Sequence, residues 1–316
     1  SLAASGSIAR LSFGIDGDLW TVVGSYDVFH SNNGGATWTL VGAAGVSVTA
    51  DATTADRAWI ASTEGVYRID FDGASLYTPT AVFDGLTPNA SYTATGVPVS
   101  AGARHLVWSS GASPRLFAST TGAGMFKLNP TGTLWSPVAA SPASAAIRAL
   151  AVHPNPATTS NGVSQRIWAG QANFSIASAA LHASVDGGNT WSAANNGLRA
   201  VDIEALTIDP TTTGSVAATT IYAGGRAASN GNTGYVNFGL YRSDDGGANW
   251  GTLDGNLPVA NSYLGPLRAL ALDPNSCALP PCTTANGPLQ RVYAVGHGRA
   301  PDDQLIADQT HRVLRS

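Results

Sequence analysis

The sequence predicts an all-β chain of repeated four-stranded antiparallel sheets, and three observations carry the prediction. A string of the form Ser-x-Asp-x-Gly-x-Thr-Trp occurs three times, as Ser31 to Trp38, Ser184 to Trp191 and Ser243 to Trp250. An aromatic residue recurs at the centre of a strand-like segment six times, as Trp20, Trp59, Phe117, Trp168, Tyr222 and Tyr293. Apolar runs with strand composition recur between these markers, and in the second half each is closed by a proline. Six repeats of roughly 40 to 70 residues suit a radial architecture, so the expected fold is a six-bladed β-propeller of four-stranded blades.

The elements follow in order. Strand A of a blade is clearest as Ile147 to Val152, Ile203 to Ile208 and Leu267 to Leu272, followed by Pro154, Pro210 and Pro274. Proline cannot donate to a strand ladder and so ends the run. Ile8 to Phe13 fits the same slot in the first repeat. Strand B carries the aromatic. Strand C is expected at Val28-Phe29, Val66-Tyr67, Met125-Phe126, Leu181-His182, Leu240-Tyr241 and Val313-Leu314, and the Trp of the repeated string opens strand D. The second and third repeats have degenerate turns, Asp70 to Tyr77 and Asn129 to Trp135, with an insertion from Asp84 to Gly102 between them. One propeller domain over 1–316 is expected, with blades near 6–45, 46–83, 103–140, 146–195, 202–256 and 266–316. The sixth stops where its outer strand would begin. Two explanations fit: residues 1–5 supply that strand, or the chain is a piece of a longer protein, in which case seven blades remain open.

Composition narrows the function classes. Of 316 residues, 44% are hydrophobic and 11% charged, with a net charge of -4. That balance lacks the basic footprint of a nucleic-acid binder. Lys127 is the only lysine, which we read as a genome-composition effect. No run approaches the roughly 18 apolar residues of a membrane-spanning helix. No basic segment followed by an apolar core opens these residues, so no signal peptide is read within them. Cys277 and Cys282 share one Pro-rich loop, and a disulfide there implies an oxidising compartment. Two cysteines do not complete a zinc shell, and neither metal nor cofactor is expected. Asp16-Gly-Asp18 is read as a strand-edge turn in preference to a calcium contact.

The repeated string resembles the Asp-box, or BNR repeat, of the sialidase, sortilin and xyloglucanase-like propellers. The resemblance implies that Asn33, Gly35, Trp38, Asp186, Gly188, Trp191, Asp245, Gly247 and Trp250 are structural. The glycines supply turn geometry, the acids accept backbone N–H bonds, and the tryptophans are expected to bury between blades. It also implies that these turns lie on the face opposite the active site.

A binding site is therefore expected at the other end of the strands. Aligning strand A places Ala9, Ser47, Arg104, Arg148, Glu204 and Arg268 at equivalent positions around one mouth. Arginines there would hold a carboxylate or sulfate, or else pair with Glu204 as a structural ion cluster. Long polar B–C connections in blades four to six add Arg226, Tyr235, His297 and Arg299, beside Asn230, Asn232, Asn237, Asp302, Asp303 and Asp308.

The enzymatic signs are incomplete. Sialidases carry a Phe/Tyr-Arg-Ile-Pro motif, whereas the nearest string here is Tyr67-Arg-Ile-Asp70, without the proline and on strand C. Glu64 and Glu204 are the only glutamates, and Tyr235 and Tyr263 are possible neighbours of Glu204. Strings such as Ala269 to Pro274 look more like the xyloglucanase, sortilin and photosystem-assembly-factor branch, whose hydrolases set acids across a cleft between two propellers. No pair of carboxyls at glycosidase separation can be nominated. Whether the chain is an enzyme stays open. The function expected is a secreted, cell-surface or periplasmic binding module for a glycan or a protein. The alternatives are a glycoside hydrolase and an architectural unit of a larger assembly.

Overall fold

The computed structural model describes residues 8–23, 27–73, 77–86, 103–109, 114–120, 123–138, 147–154, 159–160, 163–171, 180–198, 200–227, 239–253, 264–273, 275–276, 291–298 and 311–315. Among them the strands form six successive sheets and no α-helix. The first sheet contains β1 (Ile8–Phe13), β2 (Leu19–Val23), β3 (Asp27–Ser31) and β4 (Thr39–Ala44) in that order. The second contains β5 (Ser47–Ala50), β6 (Arg57–Ala61), β7 (Val66–Phe71) and β8 (Tyr77–Ala81). The third contains β9 (Ala103–Trp108), β10 (Leu116–Thr120), β11 (Met125–Leu128) and β12 (Trp135–Pro137). In the fourth, the hairpin of β14 (Thr159–Ser160) and β15 (Val163–Ser164) interrupts a sheet of β13 (Ile147–Val152), β16 (Ile167–Gln171), β17 (Leu181–Ser184) and β18 (Ser192–Ala193). The fifth contains β19 (Ala200–Ile208), β20 (Ile221–Ala227), β21 (Leu240–Ser243) and β22 (Gly251–Thr252). The sixth has three strands, β23 (Leu264–Leu272), β24 (Val292–Gly298) and β25 (His311–Arg315). Residues 1–5, expected to supply its outer strand, lie outside the described residues.

Each expected strand-B aromatic stands on the second strand of its sheet, and each expected strand-C pair on the third. β10 and β16 are buried along their whole length, so these strands are covered on both faces. That fits their sequences, Leu-Phe-Ala-Ser-Thr and Ile-Trp-Ala-Gly-Gln, which do not alternate between apolar and polar. At the inner edge the alternation returns: β13, Ile-Arg-Ala-Leu-Ala-Val, is buried at every second residue.

The first three sheets fall in one compact unit, and the last three, from Arg148 onward, in a second. In the first unit, Trp20, Val22, Val48, Ile60 and Ile69 pack between sheets one and two. Trp59, Leu106, Leu116, Phe126 and Trp135 pack between sheets two and three. In the second unit, Trp168, Leu181, Ile203, Tyr241 and Trp250 join sheets four and five. Tyr222, Leu240, Leu267 and Val292 join sheets five and six. Each of the large side chains stabilises the fold by about 2–3 kcal/mol through burial alone.

The repeated turns close the outer hairpins with side chains acting as backbone. In the fifth sheet, Ser243 Oγ donates to Asp245 Oδ1 at 2.7 Å and accepts from Gly247 N at 2.9 Å. Asp245 Oδ1 also accepts from Asn249 N at 2.9 Å, and Oδ2 from Asn249 Nδ2 at 2.7 Å. The same bonds recur around Ser184, Asp186, Gly188 and Thr190. They recur with the uncharged Asn33 in place of the acid. Gly35, Gly188 and Gly247 have φ of 86°, 87° and 85°, a left-handed backbone that L side chains resist.

Gly247 has a second duty. A Cβ there would lie 2.8 Å from Trp168 Nε1 of the preceding sheet. Gly132, in the degenerate turn of the third sheet, faces Trp59 in the same way, at 3.6 Å. In these two pairs a strand-B aromatic of one sheet lies under the turn glycine of the next. The tryptophans of the repeated string differ among themselves. Trp250 is buried at 6% exposure, donating Nε1 to Ala194 O at 2.9 Å. Trp38 and Trp191 are only half-buried, contrary to the expectation that all three bury. Trp250 owes its cover to Ala194 and Leu198 of the preceding sheet, which pack in the same cluster.

Gly247→Ala is expected to lower stability by about 2–3 kcal/mol through backbone strain plus displacement of Trp168. Gly34→Ala, at φ 67° with open space around it, should cost only the backbone part, about 1 kcal/mol. Chemical denaturation of the two variants measures the difference.

Candidate functional site

The equivalence of the strand-A positions rests on a shared irregularity. Between β1 and β2 the register steps from Ile8↔Val23 to Arg10↔Val22, leaving Ala9 as the extra residue. Arg104 is the extra residue of β9, between Ala103↔Thr120 and His105↔Ser119. Glu204 is the extra residue of β19, between Ile203↔Gly225 and Ala205↔Gly224. Arg268 is the extra residue of β23, between Leu267↔Gly296 and Ala269↔Val295. A bulge of this kind re-aims the side chain it carries. Gly225 permits the one at Glu204, because a Cβ there would meet Asp202 O at 1.7 Å. Ser47 departs from the pattern. It pairs regularly with Ala61, and its buried Oγ has no hydrogen-bond partner among the described residues.

In the second unit the bulge brings Glu204 onto Arg148. Arg148 Nη1 donates to Glu204 Oε1 at 2.7 Å and lies 3.4 Å from Asp202 Oδ2. Side-chain exposures are 26% for Arg148, 9% for Glu204 and 1% for Asp202, so two carboxylates are nearly enclosed around a guanidinium that still reaches solvent. Buried carboxylates need such a cation to stay ionised. The sequence reasoning did not pick out Asp202. No local signal marks it, because the bulge at Glu204 breaks the period-two alternation that would relate the two residues.

The remaining expected site residues are placed less fully. Arg104 is exposed at the start of β9. Arg226 lies on β20 opposite Asp202, and His297 on β24 opposite His311. Tyr235 and Arg299 lie outside the described residues, as do Tyr263, Asn230, Asn232, Asn237, Asp302, Asp303, Asp308 and the Cys277–Cys282 pair. The three long B–C connections occupy 172–180, 228–239 and 299–310, against 24–26, 62–65 and 121–124 in the first three sheets.

In the first unit, Glu64 has found a tyrosine. Tyr67 Oη donates to Glu64 Oε2 at 2.7 Å. That bond, with burial and the carboxylate charge, pushes the Tyr67 phenol up to about 12. The pair borders a 420 Å³ cavity walled by Gly42, Ala43, Ala44, Gly45, Ser62 and Pro79. Asp16 acts as a turn acceptor, taking Asp18 N at 3.0 Å and Asp56 N at 2.7 Å. Asp18 holds the buried His30 Nε2 at 2.6 Å, and His30 stacks on Trp20 at 4.0 Å. One carboxylate oxygen from each of Asp16, Asp18 and Asp56 lies within 4.8 Å of the others, a spacing that suits a cation as well as a turn.

The turn acids are not poised as catalysts. Burial raises Asp186 and Asp245, but the bonds from Thr190 and Ser184, and from Asn249 and Ser243, outweigh it and hold both carboxyls below the ordinary aspartate value. Each acid is thereby locked as an acceptor within its own turn.

No family model matches the sequence, and no curated protein matches it. Solved structures do. A GH74 xyloglucanase from Xanthomonas campestris is similar over 98% of this chain at 13% identity with a TM-score of 0.63, and the chain spans 44% of that enzyme. YCF48 from Cyanidioschyzon merolae is similar over 92% of this chain and 80% of its own, at 17% identity and a TM-score of 0.51. A structure of YCF48 bound to D1 peptide is similar over 94% of this chain and 78% of its own, at 16% identity and a TM-score of 0.52.

Arg148→Ala should cost on the order of 2 kcal/mol, because Asp202 and Glu204 lose their cation; Arg148 is partly exposed, which keeps the loss below that of a fully buried pair. Thermal unfolding of the variant beside Asp202→Asn/Glu204→Gln in the same background checks it, since the neutral pair should recover most of the loss. For the turn acids, a folded pKa below the unfolded one stabilises above the unfolded value. The gain disappears as pH falls through the folded value. Asp186→Asn/Asp245→Asn should therefore flatten the loss of stability below about pH 4, as measured by denaturation at a series of pH values. At these sequence identities the likeness establishes architecture: the chain is an all-β, six-bladed β-propeller.

Proposed function

We propose that the chain is an Asp-box propeller acting as a binding module, with its ligand received at the strand-A end of sheets four to six. The observation that carries the reading is the cluster of Arg148, Asp202 and Glu204, a partly solvent-accessible guanidinium set over two enclosed carboxylates at the mouth of the strands. Arg226, His297 and Arg268 lie on the adjoining strands, and the longest B–C connections open at the same end. Rigid strands that present charged side chains beneath long polar loops are a common basis for recognition. Tyr235 and Arg299 contribute from the loops of the same sheets. The ligand is a glycan or a protein. The peptide held by YCF48 gives the protein reading a precedent in the same architecture. The module works in a secreted, cell-surface or periplasmic setting, where Cys277 and Cys282 would close a disulfide; it could sit within a larger surface assembly.

A glycoside hydrolase is the second reading, favoured by the likeness to the xyloglucanase. Against it stands the ion cluster: both carboxylates are drawn to one guanidinium nitrogen, not set apart across a sugar. A combined glycan and peptide array, with hydrolysis assayed on every hit, separates the readings. Binding without turnover that weakens in Arg268→Ala is expected. Turnover would replace the binding module with the hydrolase, and silence on both arrays would leave the architectural role.

A further inference from the structure

At the opposite end of the same unit, a cation is left without a counter-charge. Four sheets carry an arginine two residues before the strand-B aromatic: Arg57, Arg115, Arg166 and Arg291. Arg57 is paired with Asp70 across the strands, and Arg291 with Asp273. Arg166 has no carboxylate within ion-pair distance among the described residues. The register explains why. Ile167 stands opposite Ser184, so the position facing Arg166 is Val185, an apolar residue with 60% exposure where the second sheet has Asp70.

The Arg166 guanidinium is held in place. Its Nη2 donates to Gly246 O at 2.9 Å, and it lies 5.2 Å from the centre of the Trp168 ring. Its Nε is buried with no hydrogen-bond partner. Burial holds it below the usual arginine range, so it has lost hydration without gaining an ion pair. Beside it opens a cleft of 530 Å³ between the outer hairpin of the fourth sheet and the turn of the fifth. Ser192 and Asn195 line that cleft and make no side-chain hydrogen bond among the described residues. The cleft also runs along β18, the outermost strand of its sheet, whose outer edge has no strand partner among the described residues.

We propose that this cleft binds a carboxylate-bearing side chain of an extended acidic peptide. A planar guanidinium with free donors matches a carboxylate in charge and geometry. The unpaired edge of Ser192–Ala193 offers main-chain bonds to an extended partner. No aromatic ring is among the described lining residues, so a sugar would have no stacking platform there. The site lies at the turn end of the sheet, away from the mouth proposed above, and stands independently of that reading.

The test uses the whole chain and the peptide Ac-Asp-Glu-Asp-Glu-Asp-Glu-amide, followed by calorimetry and by the indole N–H resonance of Trp168. Binding that shifts this resonance and weakens with salt is expected. Arg166→Gln should weaken it about tenfold, and Arg166→Lys less. Should Arg166→Gln fail to fold, Ser192→Ala/Asn195→Ala, which alters exposed and half-exposed side chains, should weaken binding about threefold. The proposal is overturned by equal binding of the Asn/Gln analogue of the peptide. It is overturned equally by affinity indifferent to these variants, by no binding, or by a Trp168 shift given by oligogalacturonate alone.

Discussion

A four-stranded sheet whose middle strands are apolar on both faces cannot bury itself, and everything else in this chain follows from that constraint. Within each unit the sheets cover one another: Leu116 and Phe126 of the third pack with Trp59 of the second, and Trp168 of the fourth packs with Tyr241 and Trp250 of the fifth. The stacking then demands close approach at the sheet ends. Where Trp168 meets the turn of the fifth sheet, only glycine leaves room, and the indole N–H donates to Gly246 O at 3.2 Å. Apolar cover and backbone satisfaction are thus met at the same point.

The turns that make this possible are self-contained. Ser184 and Asp186, like Ser243 and Asp245, bond to the backbone of their own hairpin, so the turn keeps its shape whatever stands beside it. This independence is why Asn33 serves in the first sheet without a charge. It is also why Asn129 serves in the third, accepting from Thr133 N at 2.9 Å although the surrounding string has diverged. A motif with so complete an internal account needs no catalytic role to explain it.

Charge is distributed by the same geometry. At one end of the strands the bulges carry Arg104, Glu204 and Arg268 out of the regular alternation, and in the fourth and fifth sheets this produces the ion cluster of Arg148 with Glu204 and Asp202. At the other end, arginines before the strand-B aromatics reach across the strands. Whether each is neutralised depends on the residue opposite, Asp70 in one sheet and Val185 in another. A repeat fold reuses positions, and its differences from sheet to sheet are where binding properties arise.

The sequence by itself determined the fold class, the order of the strands, the second-strand aromatics and the turn chemistry. Each of these is written locally, in a short string or a single position repeated at a regular interval. It also aligned Arg104, Glu204 and Arg268, because a repeat preserves position even where side chains differ. Only the tertiary structure decided which of those charges meet. The pairing of Arg148 with Glu204 and Asp202 joins residues more than fifty positions apart, through a bulge that no local string announces. The half-burial of Trp38 and Trp191 against the burial of Trp250, and the uncompensated Arg166, belong to the same class. They depend on what a neighbouring strand or sheet places opposite, and a strand carries no record of its neighbour.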